Sequence, residues 1–176
     1  MIADKHIILV GLMGSGKSTV GKLLARQMHL PFHDSDQEIV RRTGVTIPMI
    51  FEVEGEAGFR RREEQVLAEL LQREPQVLAT GGGIVLSEMN RALIREHGTV
   101  LYLRATVDEL WQRTRHDKNR PLLQVDDPRQ RLQQLFTDRD PLYREVADIT
   151  VDTGRQSVQS LVHQLVRQLG RQKVSS

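Results

Sequence analysis

Eight consecutive residues near the start of the chain, Gly11-Leu12-Met13-Gly14-Ser15-Gly16-Lys17-Ser18, carry the most specific chemistry in the sequence. They fit the spacing G-x-x-x-x-G-K-[ST], in which glycines let the backbone turn tightly enough for successive N–H groups to face phosphate oxygens. Gly14, Ser15 and Gly16 form the cradle, and Thr19 follows at the head of a helix. Lys17 supplies a mobile positive charge for the β- and γ-phosphates, and the Ser18 hydroxyl can ligate magnesium. The surroundings agree: the apolar run His6–Val10 precedes the loop, and Val20, Leu23, Leu24 and Met28 follow at helical spacing. The motif specifies nucleotide phosphates, but does not choose among kinases, switches and motors.

Asp34-Ser35-Asp36 follows a second short apolar run. In an extended segment, residues two apart point the same way, so both carboxylates could face a cleft at the carboxyl ends of the strands. One could then hold a magnesium hydration shell and the other accept a proton from an attacking hydroxyl. Helix capping is the plainer use of the same residues. Gly81-Gly82-Gly83, after Val77-Leu78-Ala79, either allows close backbone approach to a ligand or makes a tight turn. Arg60, Arg61 and Arg62 open a helical stretch with Glu63 and Glu64, and Arg60–Glu64 has the spacing of an ion pair. Arg113, Arg115, Arg120 and Arg139 would each pass as a surface charge.

The elements that must position these residues follow from the apolar pattern. Strands are expected at His6–Val10, Pro31–His33, Gln76–Thr80, Thr99–Leu103 and Asp148–Val151, as continuous apolar runs suited to a parallel sheet buried on both faces. Helical stripes occur at Val66, Leu67, Leu70 and Leu71, and at Leu161, Leu165, Val166 and Leu169. Alternation over the whole length predicts an α/β fold, a three-layer sandwich around a five-stranded parallel sheet. Residues 36–75 are too long for one helix and contain Gly44, Gly55 and Gly58. His116–Asp127 is charged, holds Pro121 and has no period, as expected of a mobile lid.

The 176 residues suit one domain, with 39% hydrophobic and 27% charged residues, as in globular proteins. A net charge of only +2 argues against a dedicated nucleic-acid binder, and the basic residues of the last helix read as its solvated face. The absence of cysteine excludes disulfides and thiolate catalysis. Six scattered histidines make no zinc motif. The charged start, Met1 to His6, leads into a run too short to span a membrane and without a cleavage site. The expected compartment is the cytoplasm. No heptad or interface stripe is visible, so a monomer is expected.

Taken in order and spacing, the motifs closely resemble the shikimate kinase family over nearly the full chain. They are G-L-M-G-S-G-K-S-T from Gly11, D-S-D at 34–36, G-F-R-R-R-E-E from Gly58, T-G-G-G from Thr80, R-P-L-L from Arg120 and R-D-P-L-Y from Arg139. The resemblance implies a P-loop kinase with a substrate-binding insertion about 36–62 and a lid about 114–126. It implies ATP-dependent phosphorylation of the 3-hydroxyl of shikimate, in aromatic amino-acid (chorismate) biosynthesis. It further implies that Asp34 supports magnesium beside Ser18, and that Asp36 contacts the substrate hydroxyls as the base. Arg60 and Arg139 would bind the substrate carboxylate, a task suited to the guanidinium fork. Gly82 would offer backbone contact, Arg120 would reach the γ-phosphate from the lid, and Arg113 would lie near adenine and phosphates. Gln156, in the variable loop after the last strand, is the expected adenine contact. Ile84 departs from the pattern, standing where a small residue is usual.

Other readings lack their marks. A regulatory GTPase would carry Asp-x-x-Gly and Asn-Lys-x-Asp, and a motor ATPase would carry an apolar run ending in Asp-Glu; neither occurs. A nucleoside kinase gives no reason to combine Asp36, Arg60, the glycine triplet and Arg139. A non-enzymatic nucleotide-binding module would bind ATP without turnover.

Overall fold

The structure is a computed structural model and describes residues 5–172, so residues 1–4 and 173–176, including most of the charged start, lie outside the described residues. The five apolar runs become β1 (His6–Val10), β2 (Phe32–Asp34), β3 (Val77–Ala79), β4 (Gly98–Arg104) and β5 (Ile149–Asp152). They form one all-parallel sheet in the order β2-β3-β1-β4-β5. Burial on both faces explains the unbroken hydrophobicity of β1: Ile8 and Val10 join one core cluster, while Ile7 and Leu9 join the other.

β1 keeps its expected bounds, and the ends of the other strands move by one residue. β2 starts after Pro31, which lacks an N–H but whose carbonyl accepts from Val77 N at 2.9 Å. Thr80 leaves the ladder, yet its N–H and hydroxyl both donate to the Leu9 carbonyl, at 3.2 and 2.7 Å. That pair ties the start of the glycine triplet to the strand that feeds the phosphate loop.

Helices α1 (Lys17–Met28) and α7 (Val158–Gln172) cover one face, burying Val20 and Leu24 against Leu161, Val162 and Leu165. The other face carries α2 (Ser35–Thr43), α3 (Ile47–Leu70), α4 (Glu88–His97), α5 (Val107–Thr114) and α6 (Pro128–Val146). Segment 36–75 is therefore two helices, and α3 is itself broken at Gly55, where φ is 73°. Caps set the starts: Thr46, Ser87 and Asp127 each accept from a backbone N–H, and Thr106 with Glu109 forms a capping box. Between α5 and α6 the chain makes only a short 3₁₀ turn, Pro121–Leu123.

In this strand order, the chain passes from β1 to the edge strand β2, returns to β3 between them, and then crosses to β4 and β5 on the other side of β1. The carboxyl ends of β1 and its neighbours are the place where such sheets bind ligands. The phosphate loop leaves β1 there, Asp34 ends β2, and Gly81 follows β3 by one residue.

Candidate active site

The phosphate side is built from one stretch of backbone. Gly16 caps α1 in the left-handed region (φ 94°), which favours glycine, and no side chain caps the helix or places an acid in its first turn. The helix start thus keeps its N–H groups and partial positive charge directed at the loop. Lys17 Nζ donates to the Gly11 and Leu12 carbonyls at 2.6 and 3.0 Å. Desolvation lowers its pKa to about 8, with Asp36 the largest opposing influence. From α5, Arg113 donates to the Gly14 carbonyl at 2.9 Å, placing its guanidinium on the loop.

Asp34 caps a helix, the plainer of its two expected uses, and also contacts Ser18. Its Oδ1 caps α2 by accepting from Asp36 N (2.9 Å) and Gln37 N (3.2 Å). Its Oδ2 accepts from the Ser18 hydroxyl at 2.7 Å. The expectation that Asp34 and Asp36 share an extended segment is corrected: β2 stops at Asp34 and Asp36 lies in the first turn of α2. The cap itself turns the chain, and Asp36 still reaches the cleft. Its Oδ1 is buried with no hydrogen-bond partner. Burial foremost, then the neighbouring Asp34 carboxylate, pushes Asp36 up to about 6, against Lys17, Arg120 and Arg60.

The second side is assembled from side chains of several elements around the glycine triplet. A Cβ on Gly81 would lie 2.7 Å from Asp36 Oδ1 and 2.9 Å from Glu63 Oε2, so two carboxylates crowd this backbone. A Cβ on Gly83 would fall 2.3 Å from Arg60 Nη1, so only glycine lets that guanidinium rest here. Arg60 does not pair with Glu64 as its spacing suggested. It donates to the buried Glu63 at 3.0 Å and to the exposed Glu56 at 3.3 Å, which lie one turn to either side of it on α3. Burial first, then Asp36 among the neighbours that add to it, raises Glu63 to about 7.

Arg139 is only 3% exposed, with Nη1 buried and unpartnered, 3.5 Å from where a Gly82 Cβ would stand. A buried guanidinium without an ion-pair partner is costly, and burial indeed lowers its pKa. Glu63 and Tyr143 are the site-lining groups that sequence reasoning passed over. The signal for α6 was present: Leu132, Leu135, Arg139, Tyr143 and Val146 form a buried stripe with an arginine in it.

Two expected residues sit at the periphery. Arg120 Nε donates to Asp117 at 3.0 Å in the loop before α6, yet its charge bears on both Lys17 and Asp36. Gln156 is exposed and bonded to Gln164 (2.8 Å) and Ser160 (3.0 Å), with no hydrogen bond to the cradle. Ile84 is fully buried in the core and starts the 3₁₀ turn after the triplet. Its side chain belongs to the apolar core cluster, which accommodates a large residue there.

The donor set can be tested for magnesium. Ser18 Oγ and Asp34 Oδ2 are two hard oxygens already in mutual contact. Among the described residues no group of three or more His, Cys, Asp or Glu could hold a metal ion. Two oxygens fit an ion that takes its remaining ligands from phosphates and water.

With this geometry in place, comparison with known proteins is specific. A family model described as shikimate kinase matches residues 13–170. A shikimate kinase of Nitrosospira multiformis is 59% identical, covering 95% of this chain and 86% of its own length. One from Burkholderia pseudomallei is 59% identical, covering 94% and 91%. A solved structure, shikimate kinase from Acinetobacter baumannii in complex with shikimate, superposes with a TM-score of 0.94 at 50% identity, over 96% of this chain and 94% of that one. The chain belongs to the shikimate kinase family.

Proposed function

We propose that this chain transfers the γ-phosphoryl group of ATP to the 3-hydroxyl of shikimate, releasing ADP and shikimate 3-phosphate. The observation that carries the reading is the convergence of Lys17, Asp36, Arg60, Gly82 and Arg139 at the carboxyl ends of three adjacent strands. Two arginines beside a glycine backbone suit a carboxylate, and a carboxylate base beside them suits a hydroxyl.

In this reading Gly14, Ser15, Gly16, Lys17, Ser18 and Thr19 hold the ATP phosphates. Arg113 lies against the nucleotide, and Gln156 touches adenine from the loop after β5. Arg60 and Arg139 grip the acceptor carboxylate, while Gly82 and Asp36 fix its ring so that the 3-hydroxyl points at the γ-phosphorus. The hydroxyl oxygen bonds to phosphorus as the bond to the ADP oxygen breaks, and Asp36 takes the hydroxyl proton. Lys17 and Arg120 stabilise charge on the phosphoryl oxygens. Magnesium held by Ser18 and Asp34 would neutralise charge on the β- and γ-phosphates. Residues 114–126 close as the lid, residues 36–62 form the acceptor-binding insertion, and the chain acts as one domain over 1–176. The same reading has it working as a monomer in the cytoplasm, without nucleic acid. Among the described residues, no helix is long and apolar enough to cross a membrane.

The test is an ADP-release assay over shikimate, quinate, gluconate and nucleoside monophosphates, with the product resolved by phosphorus NMR. Turnover should be confined to shikimate, with quinate at most a poor substrate. Turnover of a nucleotide with none of shikimate would overturn the acceptor assignment.

A further inference from the structure

The R-D-P-L-Y stretch ends in a residue that the proposed chemistry does not use. Tyr143 lies one helical turn beyond Arg139 on α6 and is completely buried. Its hydroxyl donates to the Gly82 carbonyl. Arg139 Nη1 lies beside the same glycine, 3.5 Å from where a Gly82 Cβ would stand, and the Arg139 and Tyr143 side chains bear on each other electrostatically. We propose that Tyr143 is the positioning residue of the acceptor clamp, its hydroxyl tying the Gly82 peptide and the Arg139 guanidinium into one unit. This inference rests on the acceptor reading above.

Three observations support the assignment. First, the two groups joined belong to elements far apart in sequence, the turn after β3 and the middle of α6. Without a bridge, each would find its own orientation. Second, the peptide between Gly82 and Gly83 is trans, so a carbonyl pinned towards Tyr143 turns the Gly83 N–H the opposite way. Among the described residues, no protein acceptor takes the Gly82 or Gly83 N–H. Those donors stay available to an acceptor molecule, and Tyr143 sets one of their directions. Third, the phenol is itself held in place. Its ring packs on Tyr102 at 4.9 Å between centroids, and the Tyr102 hydroxyl donates to Asp140 at 2.7 Å. Asp140 also accepts from Arg104 at 3.1 Å, so strand β4, next to the central strand, braces α6 at the level of the clamp.

A hydroxyl that donates to a carbonyl beside a cation is polarised in one direction, which strengthens that bond. Burial raises the phenol's pKa well above the ordinary tyrosine range, so the donor is retained throughout the working pH. Phenylalanine would fill the same space and remove only the bridge.

Tyr143→Phe is therefore the test, read by steady-state kinetics. The Michaelis constant for shikimate should rise about tenfold, the scale of one charge-assisted hydrogen bond, while that for ATP stays within about twofold and kcat changes less than the shikimate constant. The melting transition serves as the folding control. Shikimate methyl ester, as a competitive ligand, should lose far less affinity than the acid, because it gives Arg139 no carboxylate to grip. Equal loss for acid and ester, or no loss at all, would overturn the assignment. Should the variant not fold, the wild-type chain still decides the matter, because it contains only two tyrosines. Uniform 3-fluorotyrosine labelling gives two resonances, assigned with Tyr102→Phe. The Tyr143 resonance should move on adding the acid and move much less with the ester; identical responses would sink the proposal. Wild-type turnover of shikimate with an unaltered Tyr143→Phe removes this inference alone. A wild-type enzyme that ignores shikimate removes the acceptor reading and the inference with it.

Discussion

The phosphate side of the cleft is one contiguous loop of backbone, whereas the acceptor side is side chains from α2, α3 and α6 gathered around three glycines. The difference is physical as well as topological. On the phosphate side, N–H groups and a helix end supply positive potential at no desolvation cost, since the backbone needs those donors anyway. On the acceptor side, Asp36, Glu63 and Arg139 are each held in an environment that disfavours their charged form. In the proposed reading a bound acceptor completes these groups, and specificity is stored in their unfavourable burial. Phosphate recognition should therefore be robust and general, and acceptor recognition sensitive and particular.

The sharpest way to separate the two sides is to remove a reacting group from each. Lys17→Ala and Asp36→Ala should each lower turnover about a thousandfold or more. Calorimetric titration should show ATP affinity retained in Asp36→Ala. Near-normal turnover in that variant would take Asp36 out of the mechanism.

Arg60→Ala should raise the Michaelis constant for shikimate about tenfold to a hundredfold, the range for loss of a charged hydrogen-bonding partner, and leave that for ATP nearly unchanged. An equal effect on both substrates would erase the division between the sides.

Glu63 allows a test by stability. Its pKa rises from an ordinary 4.5 to about 7 on folding. Between those values the folded chain binds the proton more tightly than the unfolded chain, so the wild type loses stability as pH rises through that window. Glu63→Gln stays neutral and escapes the loss. Its stability relative to wild type should improve from pH 4.5 to pH 7, by on the order of 3 kcal/mol, and then level off. Thermal unfolding across pH checks this; a gap independent of pH would show that folding does not shift the Glu63 carboxyl.

The smallest effect should come from Gln156→Ala. Its amide is exposed and satisfied by Gln164 and Ser160, so ATP affinity should fall less than about threefold, within the range of an exposed hydrogen bond. A larger loss would make the loop after β5 a major nucleotide determinant.

The same contrast explains what could be read from the sequence. The sheet was legible because each strand is buried on both faces and so is written as an unbroken apolar run. The phosphate loop was legible because its geometry is local, with glycines, lysine and serine at fixed offsets. An extended backbone through Asp36 is what the sequence suggests; instead a helix begins at Ser35, and its cap brings Asp36 round to the cleft. Arg60 was paired with Glu64 by spacing alone, but burial of Glu63 decided otherwise. Tyr143 and Glu63 are not legible as site residues, because contacts such as Tyr143 to Gly82 span 61 residues and leave no periodic trace. Arg139 came from family resemblance, although an arginine inside the apolar stripe of α6 carried its own physical signal.

The most direct test of the division of labour is calorimetric titration of Arg139→Met, which keeps the buried bulk and removes the guanidinium. Shikimate affinity should fall at least about tenfold while ATP affinity stays within about twofold of wild type. Undiminished shikimate binding, or loss of both ligands together in a folded variant, would contradict an acceptor side built separately from the phosphate loop.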